Sequence, residues 1–256
     1  MSNYALITGA SAGLGTEFAQ QLAARGLNLV LVARRDDKLK AVAEELVAKH
    51  GIDVRTFSAD LSEPGAPEAL HQFCETENLR VEWLVNNAGA AGEDLFLERD
   101  WSKHEAFYRL MMTSIAQLCH LFVPGMKDRK SGFILNVASV AGRIPRSGGC
   151  NYGPVKAYVV ALSEDLAVTL APYNIKASAL CPGYTHTDFH ETAGLMEMKN
   201  KMPKWLWYDA SVVVSEGIKA LEAGKPVYVS GRIYRWVDPL LQSVWTRRFF
   251  RIPARL

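Results

Sequence analysis

Tyr4-Ala5-Leu6-Ile7-Thr8-Gly9-Ala10-Ser11-Ala12-Gly13-Leu14-Gly15 is the stretch on which the reading of this chain turns. Its first half is a short, nearly continuous apolar run, as expected of a strand covered on both faces. Its second half spaces Gly9, Gly13 and Gly15 among small residues. Leu14, Phe18 and Leu22, with Ala19 and Ala23, then recur at helical spacing until Gly26 stops the helix. A buried strand, a glycine turn and an amphipathic helix in that order bring backbone N–H groups and a helix N-terminus to where a pyrophosphate binds.

The same alternation runs outward along the chain. Leu27 to Ala33 reads as a second buried strand, Asp36-Asp37 open a helix to about His50, and Ile52 to Ser58 follows as a third strand. A helix over about Glu63 to Glu77 leads to the strand Trp83 to Asn86, and a longer helix spans roughly Lys103 to Lys127. Phe133 to Val137 is the fifth strand, a helix covers about Val155 to Ala171, and Lys176 to Leu180 is the sixth. This order predicts an α/β fold, a Rossmann-like doubly wound parallel sheet of about seven strands, as one domain over residues 1–256. In such a sheet the ligand crevice lies at the carboxyl ends of the strands. Gly9 to Gly15, Asp60, Asn86 to Gly89, Ser139 and Pro182-Gly183 all fall there.

Composition narrows the classes. With 256 residues, 49% hydrophobic and 22% charged, the chain can bury a large core and is not of disordered type. A net charge of +2 demands no polyanionic partner, so nucleic acid is not expected. Cys74, Cys119, Cys150 and Cys181 are scattered without metal-ligand spacing, which suggests reduced thiols, no metal and a cytoplasmic protein. His186 and His190, four residues apart, lack a third ligand. The start of the chain shows no signal-peptide pattern, and no uninterrupted apolar run approaches a membrane span.

Arg34-Arg35 stand after the second strand, where an acidic residue would bond a ribose 2′-hydroxyl. Guanidinium groups there favour a 2′-phosphate and hence NADP(H), with NAD(H) left open by the neighbouring Asp36. Asp60, ending the third strand, is placed to meet the adenine edge. Tyr152 lies one helical turn before Lys156, a spacing that suggests proton chemistry beside the nucleotide.

Thr8-Gly9-Ala10-Ser11-Ala12-Gly13-Leu14-Gly15, Asn86-Asn87-Ala88-Gly89, Ser139, the Tyr152 to Lys156 pair and Pro182-Gly183 occur in the order and spacing of the short-chain dehydrogenase/reductase family. The resemblance covers at least residues 3–230. Val30 to Arg35 and Leu121 to Met126 look like its NADP-using branch, with DltE-like oxidoreductases and hydroxysteroid or ketoacyl reductases. It implies that Ser139 holds a substrate oxygen, that Tyr152 exchanges a proton with it, and that Lys156 favours the phenolate and bonds the nicotinamide ribose. It also implies cofactor contacts from Gly9, Ser11, Ala12, Gly13, Leu14, Gly15, Arg34 and Arg35. Asp60, Leu61, Asn87, Ala88, Gly89, Tyr152 and Lys156 continue the cofactor set. Pro182, Gly183, Thr185 and Thr187 complete it, a threonine of the last pair bonding the carboxamide. A homodimer or homotetramer acting on a small carbonyl or alcohol substrate is the implied assembly.

Two positions depart from that pattern. Met111 stands where the family commonly has a helix asparagine that holds a water through its main-chain carbonyl, with Thr113 and Ser114 as nearby substitutes. Gly153-Pro154-Val155 replaces the usual Ser or Thr before the lysine, although proline is tolerated in a first helical turn. The segment at about residues 184–212, with Phe189, Leu195, Met196, Met198, Met202, Trp205, Trp207 and Tyr208, suits an apolar substrate cover or ordinary core. The tail from about residue 238 to 256 combines aromatics with Arg247, Arg248, Arg251 and Arg255. It reads as a solvated helix end or subunit contact, with attachment to an anionic membrane as the alternative. The expected activity is NADP(H)-dependent interconversion of a ketone and an alcohol on a medium-sized apolar substrate. A catalytically silent NADP(H)-binding sensor or scaffold is the competing reading.

Overall fold

In the computed structural model, which describes residues 3–145, 150–186 and 203–249, the apolar run at the start becomes strand β1 (Asn3–Thr8). Tyr4 to Thr8 are all buried, which places β1 inside the sheet rather than at an edge. Helix α1 (Gly13–Ala23) returns the chain to β2 (Asn28–Ala33), and α2 (Asp36–His50) to β3 (Val54–Ser58). The acidic pair Asp36-Asp37 lies in the first turn of α2 and Lys49-His50 in its last, both favourable to the helix dipole. Helix α3 (Ala66–Thr76) leads to β4 (Arg80–Asn86), then α4 (Trp101–Tyr108) and α5 (Ser114–Arg129) to β5 (Gly132–Val137). Helix α6 (Tyr152–Leu170) precedes β6 (Ile175–Cys181).

After β6 come the short strands β7 (Tyr184–His186) and β8 (Trp207–Asp209), which pair in parallel as a separate ribbon. Helix α7 (Ala210–Glu222), strand β9 (Val227–Val229) and helix α8 (Arg232–Gln242) follow, with a 3₁₀ turn at Arg247–Phe249. The main sheet has seven strands in the order β3-β2-β1-β4-β5-β6-β9, and every described pairing in it is parallel. The strand order reverses between β1 and β4.

Alternate side chains of the central strands feed two cores. Ala5, Ile7, Leu29, Leu31 and Leu135 pack against Phe18, Leu22, Leu39 and Leu46 of α1 and α2, and Val214, Ile218 and Leu221 of α7. Tyr4, Leu6, Val30, Val32 and Ile134 meet Leu70 of α3 and Leu118, Phe122 and Met126 of α5. Both faces of the sheet are therefore covered, which explains why its strands read as continuous apolar runs rather than alternating ones.

Several boundaries differ from the sequence reading. Strand β4 begins at Arg80, not Trp83, because Glu82 is buried within it with its carboxylate accepting a bond from the Ser131 hydroxyl. Helix α6 begins at Tyr152 itself rather than near Val155. The tail forms a helix earlier than expected, from Arg232 to Gln242. α4 and α5 run on as one helix, Trp101–Arg129, through a π-helical turn at Arg109–Thr113. Its 29 residues are long and apolar enough to cross a membrane by length and composition, contrary to the expectation that no segment would be. Ile115, Leu118, Phe122 and Met126 of this helix are instead buried in the cores.

Candidate active site

The glycine turn is shaped by close approach. Gly9 has φ of 68°, in the left-handed region, and a Cβ there would come within 2.9 Å of the Ala88 Cα. A Cβ at Gly15 would lie 2.0 Å from the Gly9 carbonyl oxygen, so the first turn of α1 rests directly on the loop. The Thr8 hydroxyl accepts the N–H groups of Asn87 and Ala88, each at 2.9 Å. The Asn87 side chain donates back to the Thr8 carbonyl at 2.9 Å. The ends of β1 and β4, on either side of the point where strand order reverses, are thus laced together. Ala12, the N-cap of α1, is extended and offers no side-chain cap to the first-turn N–H groups, which face the crevice as an anion site. Ser11, Ala12, Gly13 and Leu14 are all partly accessible there, and Gly89 is exposed.

Two arginines flank this turn. Arg35 Nη2 donates to Ser11 Oγ at 3.1 Å, and Arg34 Nη1 lies 3.4 Å from Asp60 Oδ2. Burial works to raise the Asp60 carboxyl, but two bonds from Ser62 and the Arg34 charge outweigh it and hold the group below its usual range. Asp60 is therefore a held carboxylate beside Arg34. Leu61 is packed in the core with Val30, Val32 and Leu70. Asp36 is engaged by Lys40 at 2.7 Å. The uncapped helix end, Ser11 and the two guanidinium groups fit a phosphorylated dinucleotide.

Ser139, Tyr152 and Lys156 come together by packing of a turn on a helix. Ser139 is extended and caps the 3₁₀ turn Val140–Gly142, its Oγ accepting the Ala141 N–H at 3.1 Å. A Cβ at Gly142 would approach the Lys156 carbonyl carbon to 2.6 Å, so only glycine lets this turn touch α6. Tyr152 opens α6, half-buried, and the Lys156 ammonium lies 5.7 Å from its ring centroid. Lys156 is buried and donates to the Val137 carbonyl at 2.7 Å. Burial lowers its pKa to about 8, since desolvation disfavours the charged form. The Pro182 carbonyl accepts the Val140 N–H at 3.0 Å, which joins Pro182-Gly183 to the same turn.

A group of polar residues behind Tyr152 was not legible in the sequence. Buried Asn151 donates to the Glu93 carbonyl at 2.7 Å and to His104 Nδ1 at 3.0 Å, and accepts the Tyr108 hydroxyl at 2.6 Å. With Nδ1 accepting, His104 Nε2–H donates to the Glu98 carbonyl, 3.1 Å away. The residue before Tyr152 thereby fastens α6 to α4 and to the loop after β4. Met111 sits in the π-helical turn, fully buried, with its sulfur accepting the Ala90 N–H at 3.3 Å. It packs with Phe107 and Val155 beside Tyr152. Neither proposed substitute takes over a polar role there: the Ser114 hydroxyl is used on the Leu110 carbonyl at 2.7 Å, and Thr113 is exposed.

Beyond Gly183 the chain turns toward an apolar cavity. A Cβ at Gly183 would meet the Tyr234 ring at 2.1 Å, and the Tyr234 hydroxyl donates to the Leu206 carbonyl at 3.0 Å. Thr185, in β7, is buried, and its hydroxyl donates to the Gly183 carbonyl at 3.1 Å. Thr187, with Phe189, His190, Leu195, Met196, Met198 and Met202, lies outside the described residues, as do Phe250, Arg251 and Arg255. Trp207 is buried, stacking near Tyr184 and His186, while Trp205 is exposed. The cavity, about 350 Å³, is lined by Val140, Ile144, Leu206, Tyr234, Val237 and Leu241, among others. Its charged rim residues, Arg143 and Asp238, pair with each other, Nη2 to Oδ2 at 2.7 Å. Among the described residues no cluster fit to hold a metal occurs.

The family model for short chain dehydrogenases matches residues 3–197. Nodulation protein G of Rhizobium sp. (strain N33) is 31% identical over 235 residues, spanning 89% of this chain and 92% of that protein. The 3-oxoacyl-acyl-carrier-protein reductase FabG of Aquifex aeolicus is 32% identical over 193 residues, 75% of this chain and 77% of its own. A short-chain dehydrogenase from Sphingobium yanoikuyae, solved in complex with NADPH, superposes with a TM-score of 0.82 at 30% identity, covering 92% of this chain and 91% of that one. With the glycine turn, the seven-stranded parallel sheet and these matches in agreement, the chain belongs to the short-chain dehydrogenase family of oxidoreductases.

Proposed function

We propose that the protein interconverts a ketone and a secondary alcohol on a medium-sized, largely apolar substrate, with NADP(H) as cofactor. The observation that carries this reading is the packing of the Ser139 turn on the first turn of α6, which gathers Ser139, Tyr152 and Lys156 at one place. When bound, the nicotinamide supplies or accepts the hydride. The Tyr152 hydroxyl gives its proton to the substrate carbonyl oxygen, and in the reverse direction its phenolate takes the alcohol proton. A free tyrosine, with a pKa near about 10, is a weak base at neutrality, and the Lys156 charge favours the phenolate. With a pKa of about 8, Lys156 still carries that charge at neutral pH. Ser139 Oγ is oriented by the Ala141 N–H it accepts, leaving its own O–H to bond the substrate oxygen.

Arg34, and Arg35 beside Ser11, support a 2′-phosphate, and the engagement of Asp36 by Lys40 argues against its bonding a ribose hydroxyl. The NADPH complex of the Sphingobium relative supports the same cofactor. The apolar cavity next to Val140 supports an apolar substrate. The four free cysteines support a cytoplasmic protein, and the exposed Trp101 and Val168 support a homodimer or homotetramer that would cover them.

Following NADPH absorbance with a panel of ketones, aldehydes and 3-ketoacyl thioesters tests the reading. Tyr152→Phe should cut kcat by roughly 10²-fold or more; turnover equal to wild type would refute the mechanism. The filling of the Met111 position by a thioether favours the second reading, an NADP(H)-binding sensor or scaffold without turnover. Saturable NADPH binding by fluorescence, with no turnover across the panel, would establish that alternative.

A further inference from the structure

Helix α8 is apolar on two sides. Ile233, Tyr234, Val237 and Leu241 line the cavity, whereas Trp236 and Leu240, with Val244, Trp245 and Phe249 after the helix, are exposed. Trp236 is 82% exposed, Trp245 79% and Phe249 72%. Burying such side chains is worth far more than leaving them in water, so this face is built for a covering partner.

The charges identify the partner's chemistry. Residues 232–256 hold six arginines and one aspartate, a net of +5, so with +2 for the whole chain the other 231 residues carry −3. The single acid, Asp238, is turned inward onto Arg143, and Arg235 onto Glu216 at 3.5 Å and the Tyr228 ring. Arg232 and Arg248 remain exposed beside the aromatic face without an acid on it to balance them. A symmetric pairing of two copies through this face would bring Arg232 and Arg248 of each copy against like charges. An anionic surface with an apolar interior complements both features: headgroups attract the arginines, and indole rings sit at the boundary.

We propose that α8 and the turn after it dock on an anionic lipid bilayer, with Trp236, Trp245 and Phe249 entering the headgroup boundary and Arg232 and Arg248 contacting lipid phosphates or carboxylates. Phe249 both lines the cavity and is largely exposed, so the cavity mouth lies on this same face. The surface does not depend on the catalytic reading, and its test measures no turnover.

The experiment is co-sedimentation of the full chain with vesicles of phosphatidylcholine alone and of phosphatidylcholine mixed with phosphatidylglycerol, at low and high salt. Wild type should pellet with the mixed vesicles, at least about tenfold less with phosphatidylcholine alone, and be released by salt. Arg248→Glu should weaken the partition roughly 25-fold, about fivefold for each unit of charge. The double substitution Trp236→Ala, Trp245→Ala should abolish it while leaving the thermal midpoint unchanged, because both rings are exposed. Absence of pelleting with mixed vesicles, or equal pelleting with both kinds, would overturn the proposal. So would a wild-type dimer in light scattering that the double variant converts to monomer while vesicle binding persists.

Discussion

Replacing Lys156 with methionine should abolish turnover and yet make the cofactor-free protein harder to unfold. The ammonium is buried, and desolvation drops its pKa from 10.5 to about 8. Because the folded state holds this proton more weakly than the unfolded state, the group opposes folding. The penalty is full below about pH 8 and is relieved as pH rises toward 10.5, the range in which the folded protein has released the proton and the unfolded chain still holds it. A drop of that size corresponds to about 3 kcal/mol at neutral pH. Methionine has similar length and no charge, but it leaves the Val137 carbonyl without the partner now 2.7 Å away, a loss of about 1–2 kcal/mol. The net expectation is a gain of about 1–2 kcal/mol, or roughly 2–6 °C in Tm for a chain of this size. Urea unfolding of both proteins at about pH 7.5 and about pH 9.5 separates the two contributions, since only the charge penalty titrates. Wild type should close the gap by about 2 kcal/mol across that interval. A methionine variant that is less stable at neutral pH, with a gap that does not change with pH, would refute the argument that burial sets the state of Lys156.

Two further outcomes test the supporting shell. Arg35→Glu should raise the KM for NADPH roughly 30-fold, the value of about 2 kcal/mol for a charge-assisted contact, and that for NADH by less than about threefold; initial-rate kinetics showing equal rises would dissociate Arg35 from the 2′-phosphate. Asn151→Ala strands the Glu93 carbonyl, the Tyr108 hydroxyl and His104 Nδ1 together and should cost about 2–3 kcal/mol in urea unfolding. Adding His104→Ala should then cost about 1 kcal/mol less than it does alone, and strict additivity would show that the bonds do not act as a unit.

The order of strands and helices was legible because each buried strand is a continuous apolar run and each helix carries its own period. Gly9, Gly13 and Gly15 were legible for the same local reason. What could not be read were features set by partners distant in sequence. The strand reads from Trp83, after Glu82, whose burial depends on Ser131, 49 residues on. Asn151 carries no local signal, because its partners lie 43 to 58 positions away. Leu61, which the family resemblance set with the cofactor, stands in the turn after β3 with its side chain in the core, a placement fixed by Val30, Val32 and Leu70. The π-helical turn at Met111 has no composition signal at all; it shows only where the register of one helix must serve both α4 and α5.

The strand order also governs how this chain can be made. From β1 the sheet grows outward to β2 and β3, then returns to the other side of β1 and adds β4, β5, β6 and β9 in turn. No strand has to be threaded between two already paired, so a chain emerging from the ribosome can extend its sheet at an open edge at every stage. On the side of β4, β5 and β6 each such edge is apolar and unpaired until its successor arrives, the condition under which nascent chains stick to one another. The 45 residues between the end of β4 at Asn86 and the start of β5 at Gly132 make the longest wait on the growing side before the seat of Tyr152 is built. During that interval the nascent chain has its nucleotide turn but none of its proton chemistry.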